Sequence, residues 1–269
     1  VPMLFDLDKT ECARCGACVR DCAFGELRTD ADGFPFLKDE TKCMRCQHCF
    51  AICPRGAIAF DGRRAQDSVS TKGLALPSSE AVENWLQVRR SVRRFKDADV
   101  DATVLDRMLH VLGNVPTGCN ARALTYTCYP TRQSLNAFRA RFLHAIEDHR
   151  EGTKLLPRWL AIPAIRLRQG KSDIFFRGAS GLLIVSSDET NRAVTTPRED
   201  LAAACTYFEM LANAHGIATC WCGFLQLVQK EVPELLEKAA GLRRTTPFCA
   251  MLFGLPAVAY SRGVQRGDY

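Results

Sequence analysis

Beyond residue 80 the apolar positions alternate between two rhythms, one of amphipathic helices and one of short buried strands. Residues 80–90 place Val82, Trp85, Leu86 and Val88 at helical spacing behind Ser79, a residue type that favours helix starts. A second helix is predicted over about 102–113, after Asp101, burying Val104, Leu105, Met108, Leu109 and Leu112 and stopped by Gly113-Asn114 with Pro116 beyond. Residues 124–129 read as a strand ended by Pro130, and 133–149 as a long helix through Leu135, Phe138, Phe142, Leu143 and Ile146. The stretch 151–179 is less regular: Pro157 and Pro163 interrupt its apolar residues, and Arg166, Arg168, Lys171 and Arg177 follow. A strand at 182–186, an alanine-rich helix at 201–215 ended by Gly216, and a strand at 218–224 come next. A helix at 228–240 and a strand at 248–254 complete the pattern. Helices alternating with single strands predict an α+β domain over 80–269.

Upstream this rhythm is absent. Residues 61–79 (DGRRAQDSVSTKGLALPSS) are polar, rich in Gly, Ser and charge, and predict a linker. Residues 1–60 are organised by cysteine instead. They read Cys12-x2-Cys15-x2-Cys18-x3-Cys22, then Cys43-x2-Cys46-x2-Cys49-x3-Cys53-Pro54. Two-residue gaps let three consecutive thiolates wrap one corner of an iron–sulfur cube, and the fourth Cys lies too far along to close the same cube. The spacing therefore predicts two [4Fe-4S] clusters. One takes Cys12, Cys15, Cys18 and Cys53, and the other takes Cys43, Cys46, Cys49 and Cys22. Gly25 and Gly56, each three residues past the last Cys, extend the repeat. The module resembles the bacterial two-cluster ferredoxins. Ala23 stands where the second half has Pro54, a departure that touches the turn and not the ligation. A disulfide framework suits a small secreted chain rather than one continuing into a large domain. Zinc sites use paired Cys-x2-Cys units, not triplets with a fourth Cys.

At 269 residues the chain accommodates one sizeable domain plus a small one. A hydrophobic content of 47% and a charged content of 25% are those of a soluble globular protein. No apolar run approaches the length of a membrane span. No signal peptide opens the sequence as given, and with eight cluster thiolates this predicts a reducing cytoplasm. In that setting Cys119, Cys128, Cys205, Cys220, Cys222 and Cys249 are expected as buried small apolar residues, not disulfides. The net charge is +6, although residues 1–60 hold eight Lys or Arg against nine Asp or Glu; the remainder holds 28 against 21. Much of that surplus sits in Arg89-Arg90-x2-Arg93-Arg94, with further arginines at the far end. A compact anionic ligand explains such a knot better than nucleic acid, which needs an extended basic face.

Four separated segments carry a family resemblance. They are Arg89-Arg90-Ser91-Val92-Arg93-Arg94-Phe95, Pro116-Thr117-Gly118-Cys119-Asn120-Ala121-Arg122, Gly216-Ile217-Ala218-Thr219-Cys220-Trp221-Cys222-Gly223, and Phe253-Gly254-Leu255-Pro256 with Tyr260-x-Arg262-x3-Arg266. Together and in this order they resemble the nitroreductase family of FMN flavoproteins over about 80–269. An FMN phosphate needs paired cations, and planar guanidiniums supply two aligned hydrogen bonds. Arg89 from one end and Arg262 or Arg266 from the other are the candidates, with Arg90 beside them and Ser91 adding a hydroxyl. By resemblance Arg93 lies near the flavin N1 and O2, where positive charge favours the reduced anion, with Asn120 and Arg122 nearby. Pro116, Thr117 and Gly118 belong to that same loop. The stretch Cys220, Trp221, Cys222 and Gly223 passes N5, the atom that hands on hydride, and no side chain is singled out as catalytic. Each segment alone has a plain reading: arginines at a helix end suit its dipole, Trp221 suits core packing, and Thr117 and Asn120 suit a turn. Their joint occurrence favours the functional reading. Arg122 stands in place of the family's amide, and Cys119 sits beside the loop.

The resemblance implies a ferredoxin module fused to a flavin reductase. Electrons are expected to enter singly through the clusters, reach FMN, and leave toward an electron-poor acceptor such as a nitroaromatic, a quinone or a conjugated carbonyl. It also implies a homodimer with flavin at the interface, fed by a low-potential donor such as ferredoxin or flavodoxin. No GxGxxG follows a strand, so no dedicated dinucleotide domain is expected. The segment 151–179 is a candidate lid or donor-facing patch. The rival reading is an electron-transfer adaptor that relays electrons to a partner protein without a small substrate of its own.

Overall fold

The computed structural model describes residues 4–265 apart from 153, 154, 189 and 192. The chain divides into two compact units, Val1–Ser78 and Ser79–Tyr269. The first unit is a repeat in three dimensions. Its elements are β1 (Phe5–Leu7), α1 (Ala17–Arg20), β2 (Leu27–Thr29), β3 (Pro35–Leu37), α2 (His48–Ile52) and β4 (Ile58–Phe60). β1 pairs antiparallel with β4 and β2 with β3. Positions 31 apart share backbone geometry: Arg14 and Arg45 have φ of 52° and 55°, Gly16 and Gln47 67° and 60°, Gly25 and Gly56 63° and 65°. The left-handed residue before each short helix turns the chain sharply between thiols, a conformation that costs Arg14, Arg45 and Gln47 what glycine avoids. Leu4, Leu27, Ile58 and Phe60 form a small core that includes Cys18 and Cys49. The expected linker starts with order: Arg63 bridges back to Phe60, and Asp67 accepts from the Arg64 amide at 2.7 Å in the turn Ala65–Asp67.

The second unit holds α3 (Ser79–Val88), α4 (Ala102–Val111), β5 (Leu124–Tyr129), α5 (Arg132–Glu151), α6 (Arg158–Arg168), β6 (Gly181–Ser187), α7 (Pro197–Ala214), β7 (Ala218–Trp221), α8 (Gly223–Glu231), α9 (Pro233–Ala240) and β8 (Phe248–Gly254). Its strands pair antiparallel in the order β5-β6-β8-β7. Helices cover both faces. Leu182 and Ile184 of β6 pack with α5, α6, α8 and α9, and Leu183 and Val185 pack with α4 and α7. Both side-chain sets of the central strands are thus buried, which is why they read as unbroken apolar runs. α7 lies flat on the sheet through Leu201, Ala204, Cys205, Phe208 and Ala212. Truncating a fully buried aromatic such as Phe208 to Ala costs about 3–5 kcal/mol.

Several expectations are corrected. α3 begins at Ser79, and among its residues none is buried: Val82 and Trp85 are half-covered, whereas Leu86 and Val88 are 55% and 53% exposed. The stretch 151–179 contains the helix α6, which carries Pro163 internally at the loss of one intrahelical hydrogen bond. The strand expected over 218–224 stops at Trp221, because Gly223 opens α8. The helix expected over 228–240 is two helices, parted where Val232 leaves helical geometry (φ −140°, ψ 62°) before Pro233. Cys119 is exposed rather than buried. α4 keeps its expected cap, with Asp101 accepting from the Val104 amide at 3.0 Å. Among the described residues no helix is long and apolar enough to cross a membrane.

Candidate functional site

In the first unit the thiols fall into two groups. Cys12, Cys15, Cys18 and Cys53 line one cavity with Gly16, Pro54 and Ile58. Cys22, Cys43, Cys46 and Cys49 line a second with Phe5, Leu27 and Phe60. The fourth Cys of each run lines a cavity with the three of the other, and α1 and α2, which carry Cys18 and Cys49, pack together. The surroundings repeat as well: Cys18 and Cys49 are buried, Cys15 and Cys46 exposed. Burial pushes the Cys18 thiol up and that of Cys49 up to about 12. Among the described residues no three His, Cys, Asp or Glu converge on a point as a lone metal ion requires. Four thiols ringing a gap instead suit the spread of an iron–sulfur cube. The Ala57 amide donates to Cys53 Sγ at 3.3 Å, a bond of the kind that stabilises a thiolate. His48 pairs with Asp21 at 3.3 Å.

In the second unit three of the four quoted segments meet at the β7 edge. The Val92 amide donates to Thr219 O at 2.9 Å. Beyond it, Lys96 N donates to Leu255 O at 2.8 Å and Ala257 N to Arg94 O at 3.0 Å, while Phe95 bridges Pro256. The tail then returns over the end of α3, where a Cβ on Gly263 would stand 3.1 Å from Gln87 O and 3.6 Å from Arg90 Nη2. Arg89, Arg90 and the Arg262-Gly263 segment are therefore neighbours although 173 residues apart. Arg89 Nη1 pairs with Glu209 Oε1 at 3.1 Å. Arg90 donates to Arg89 O and Gln87 O at 2.7 and 2.6 Å, and its Nε is buried without a hydrogen-bond partner among the described residues. Arg93 donates to Ser91 O at 3.3 Å. Burial pushes the Cys220 thiol up, and Arg93 and Arg177 pull it back, which places both guanidiniums near this strand. Cys222 is deeper, its thiol pushed up to about 12 by burial. Trp221 is 38% exposed, not a core residue. Arg266 lies outside the described residues.

The fourth segment is held elsewhere on the same helix. Gly118 N donates to Asp200 Oδ1 at 2.9 Å, and Thr196 Oγ1 reaches the same oxygen at 3.0 Å. A side chain at Gly118 would strike Thr196 Oγ1. The loop closes on itself through Asn120 N to Thr117 O (2.9 Å) and Arg122 N to Thr117 Oγ1 (3.0 Å). Cys119, Asn120 and Arg122 all have φ near +50°. Three left-handed non-glycine residues within four positions are costly and persist only where the surroundings impose them. Pro116 and Arg122 are exposed. The loop is anchored at the first turn of α7, whereas Arg89 is anchored at Glu209, nine residues along. At helical rise that is roughly 13 Å.

The nitroreductase family model matches residues 86–255. The chain belongs to the nitroreductase family. Its residues 11–58 match the 4Fe-4S dicluster domain, so this nitroreductase-family oxidoreductase carries a 4Fe-4S domain at its amino end. Among solved structures, a nitroreductase with bound FMN from Bacteroides fragilis shares 21% identity and a TM-score of 0.53, covering 71% of this chain and 98% of its own. A nitroreductase-like family protein from Bacillus cereus shares 20% identity and a TM-score of 0.52, covering 72% and 95%. No curated protein matches the chain. At such identities the likeness speaks for the fold.

Sequence reasoning missed two buried acids that anchor these segments. Glu209 and Asp200 are buried acids on α7, and the readable signal was a carboxylate beside the apolar stripe of an alanine-rich helix. Arg177 belongs to the stretch 151–179 already singled out for its cations. It protrudes at φ 55° from a loop that Asp173 ties down, accepting from Phe176 N (2.8 Å) and Gly178 N (3.1 Å) and pairing with Arg139 (2.9 Å).

Proposed function

We propose that this chain is an iron–sulfur flavoprotein that delivers electrons from two [4Fe-4S] clusters to FMN and on to an electron-poor small acceptor, such as a nitroaromatic, a quinone or a conjugated carbonyl. The single observation that carries the reading is one chain joining two four-thiol cavities to a nitroreductase fold with a guanidinium cluster at its sheet edge. Bound FMN supplies the conversion between single electrons and the two that an acceptor takes. The donor sets suit these groups: four thiols line each cavity, and Arg90 Nε is a buried donor awaiting an acceptor. Arg89, Arg90, Ser91 and Arg262 would hold the phosphate, and Arg93 would place positive charge by the flavin pyrimidine edge. Cys220, Trp221, Cys222 and Gly223 would border N5, with the exposed face of Trp221 toward the acceptor. Pro116, Thr117, Gly118, Asn120 and Arg122 would border the flavin of a second subunit. Two features support that homodimer: the uncovered apolar face of α3, and the distance along α7 between this loop and Arg89. The donor is read as a low-potential cytoplasmic carrier such as ferredoxin or flavodoxin.

Oxygen-free purification tests the reading. About eight irons, about eight sulfides and one FMN per chain are expected, with turnover of a nitroaromatic or quinone under a low-potential reductant. A colourless or zinc-loaded protein would end it. Full cofactor content with no turnover of any small acceptor would replace it with the adaptor, which relays electrons to a partner protein.

A further inference from the structure

Glu209 is hard to explain as core. It is 7% exposed on the sheet-facing side of α7, flanked by Phe208 and Cys205, where an apolar residue would pack without desolvating a charge. Its Oε1 accepts from Arg89 Nη1 at 3.1 Å and from the fully buried Thr219 hydroxyl at 3.0 Å. Asn213, one turn on, donates to Glu209 O at 2.7 Å and to Thr219 Oγ1 at 3.4 Å. Thr219 O in turn accepts the Val92 amide at 2.9 Å. The side chain of Arg89 and the backbone three residues on are thus fastened to one buried group. Arg89 keeps a 32% exposed side chain, so one edge of the guanidinium is pinned and the other is free. A planar fork held along one edge has its remaining N–H bonds fixed in direction. The unpartnered Arg90 Nε and the closely approaching Gly263 mark the same locality.

We infer that Glu209 is a positioning residue: it aims Arg89 at the phosphate of the flavin and makes the site select FMN over riboflavin, which lacks that group. The inference rests on the FMN reading above. It also has a direction that charge alone does not. Removing a carboxylate makes the locality more positive, and by charge alone phosphate would bind tighter; loss of aim makes it bind more weakly.

The test titrates the deflavinated full-length chain with FMN and with riboflavin, following flavin fluorescence, in the wild type and in Glu209→Leu, Glu209→Gln and Arg89→Ala. The expected result is a FMN-over-riboflavin preference in the wild type that falls at least about tenfold in Glu209→Leu, the size of one lost charge-assisted contact. Riboflavin affinity should stay constant, and Glu209→Gln, which keeps an acceptor oxygen, should recover part of the preference. Equal losses for both flavins would make Glu209 merely structural and overturn the inference, as would tighter FMN binding. If Glu209→Leu fails to fold, Glu209→Gln decides alone: an unchanged preference overturns the inference. Arg89→Ala separates the two layers. Collapse of the preference there but not at Glu209 would leave the FMN reading standing without this inference. No preference in the wild type, or none lost in Arg89→Ala, would remove the phosphate contact and the inference with it.

Discussion

Arg89 and Arg90 adjoin in sequence yet do different work. Arg90 closes the carboxyl end of α3 by donating to its last carbonyls, the helix-end duty that such residues often take. Arg89 turns the other way to Glu209. A motif of arginines therefore says that cations gather, while their partners decide which edge of each is left over, Nε in Arg90 and the exposed edge in Arg89. For the cysteines, spacing by itself already predicts a crossed grouping. Here the crossed grouping makes a clear prediction. Cys53→Ala should lower iron from about eight to about four per chain. Cys12→Ala added to it should remove little more, whereas Cys43→Ala added to it should abolish the rest. Iron assays with electron paramagnetic resonance of the reduced protein read the outcome. A double variant of Cys12 and Cys53 that loses all iron would break the crossed grouping.

Among the elements, α7 does most to arrange the flavin unit. Its Ala204, Cys205 and Phe208 lie on the sheet, its first turn holds the loop at Gly118 through Asp200, and its later turns hold Arg89 through Glu209. Asp200 is 5% exposed, and its Oδ1 takes two donors. Asp200→Ala strands the Gly118 amide and frees three left-handed residues to relax. The cost expected is about 1.5–3 kcal/mol, or roughly 3–12 °C in melting temperature for a unit of this size. Flavin affinity should fall with it. Calorimetry and a flavin titration check this, and an unaltered melting temperature would mean that the loop holds itself. In the sequence the alanines of α7 announced close packing. The two acids did not announce their partners, because those come from residues 82 and 120 positions away.

For the whole molecule, α3 presents Leu86 and Val88 to the outside, and Tyr260 and Val264 in the returning tail are more than half exposed as well. Apolar side chains clustered in this way mark an association surface, and a two-fold pair of chains would cover it with the same surface. Under the proposed dimer, light scattering should give about twice the chain mass. Leu86→Asp should yield monomers that hold flavin poorly while keeping their iron. A monomeric wild type with full flavin would sink the dimer and the shared site together. Loss of iron in Leu86→Asp would instead signal general unfolding, since the cluster thiols belong to the other compact unit.

The sequence alone determined the two domains in order, the iron–sulfur chemistry, the α+β class and the segments at the sheet edge. These rest on local facts: cysteine spacing, apolar period, and residue types such as Gly and Pro that constrain their own backbone. It misplaced the carboxyl end of β7 and missed the break at Val232, where one proline's reach outweighs a continuous apolar pattern. Only the tertiary structure decided which arginine meets Glu209 and that Asp200 holds the loop at Gly118. Those outcomes depend on contacts between distant residues, set by how helices settle on a sheet, and no linear period encodes them.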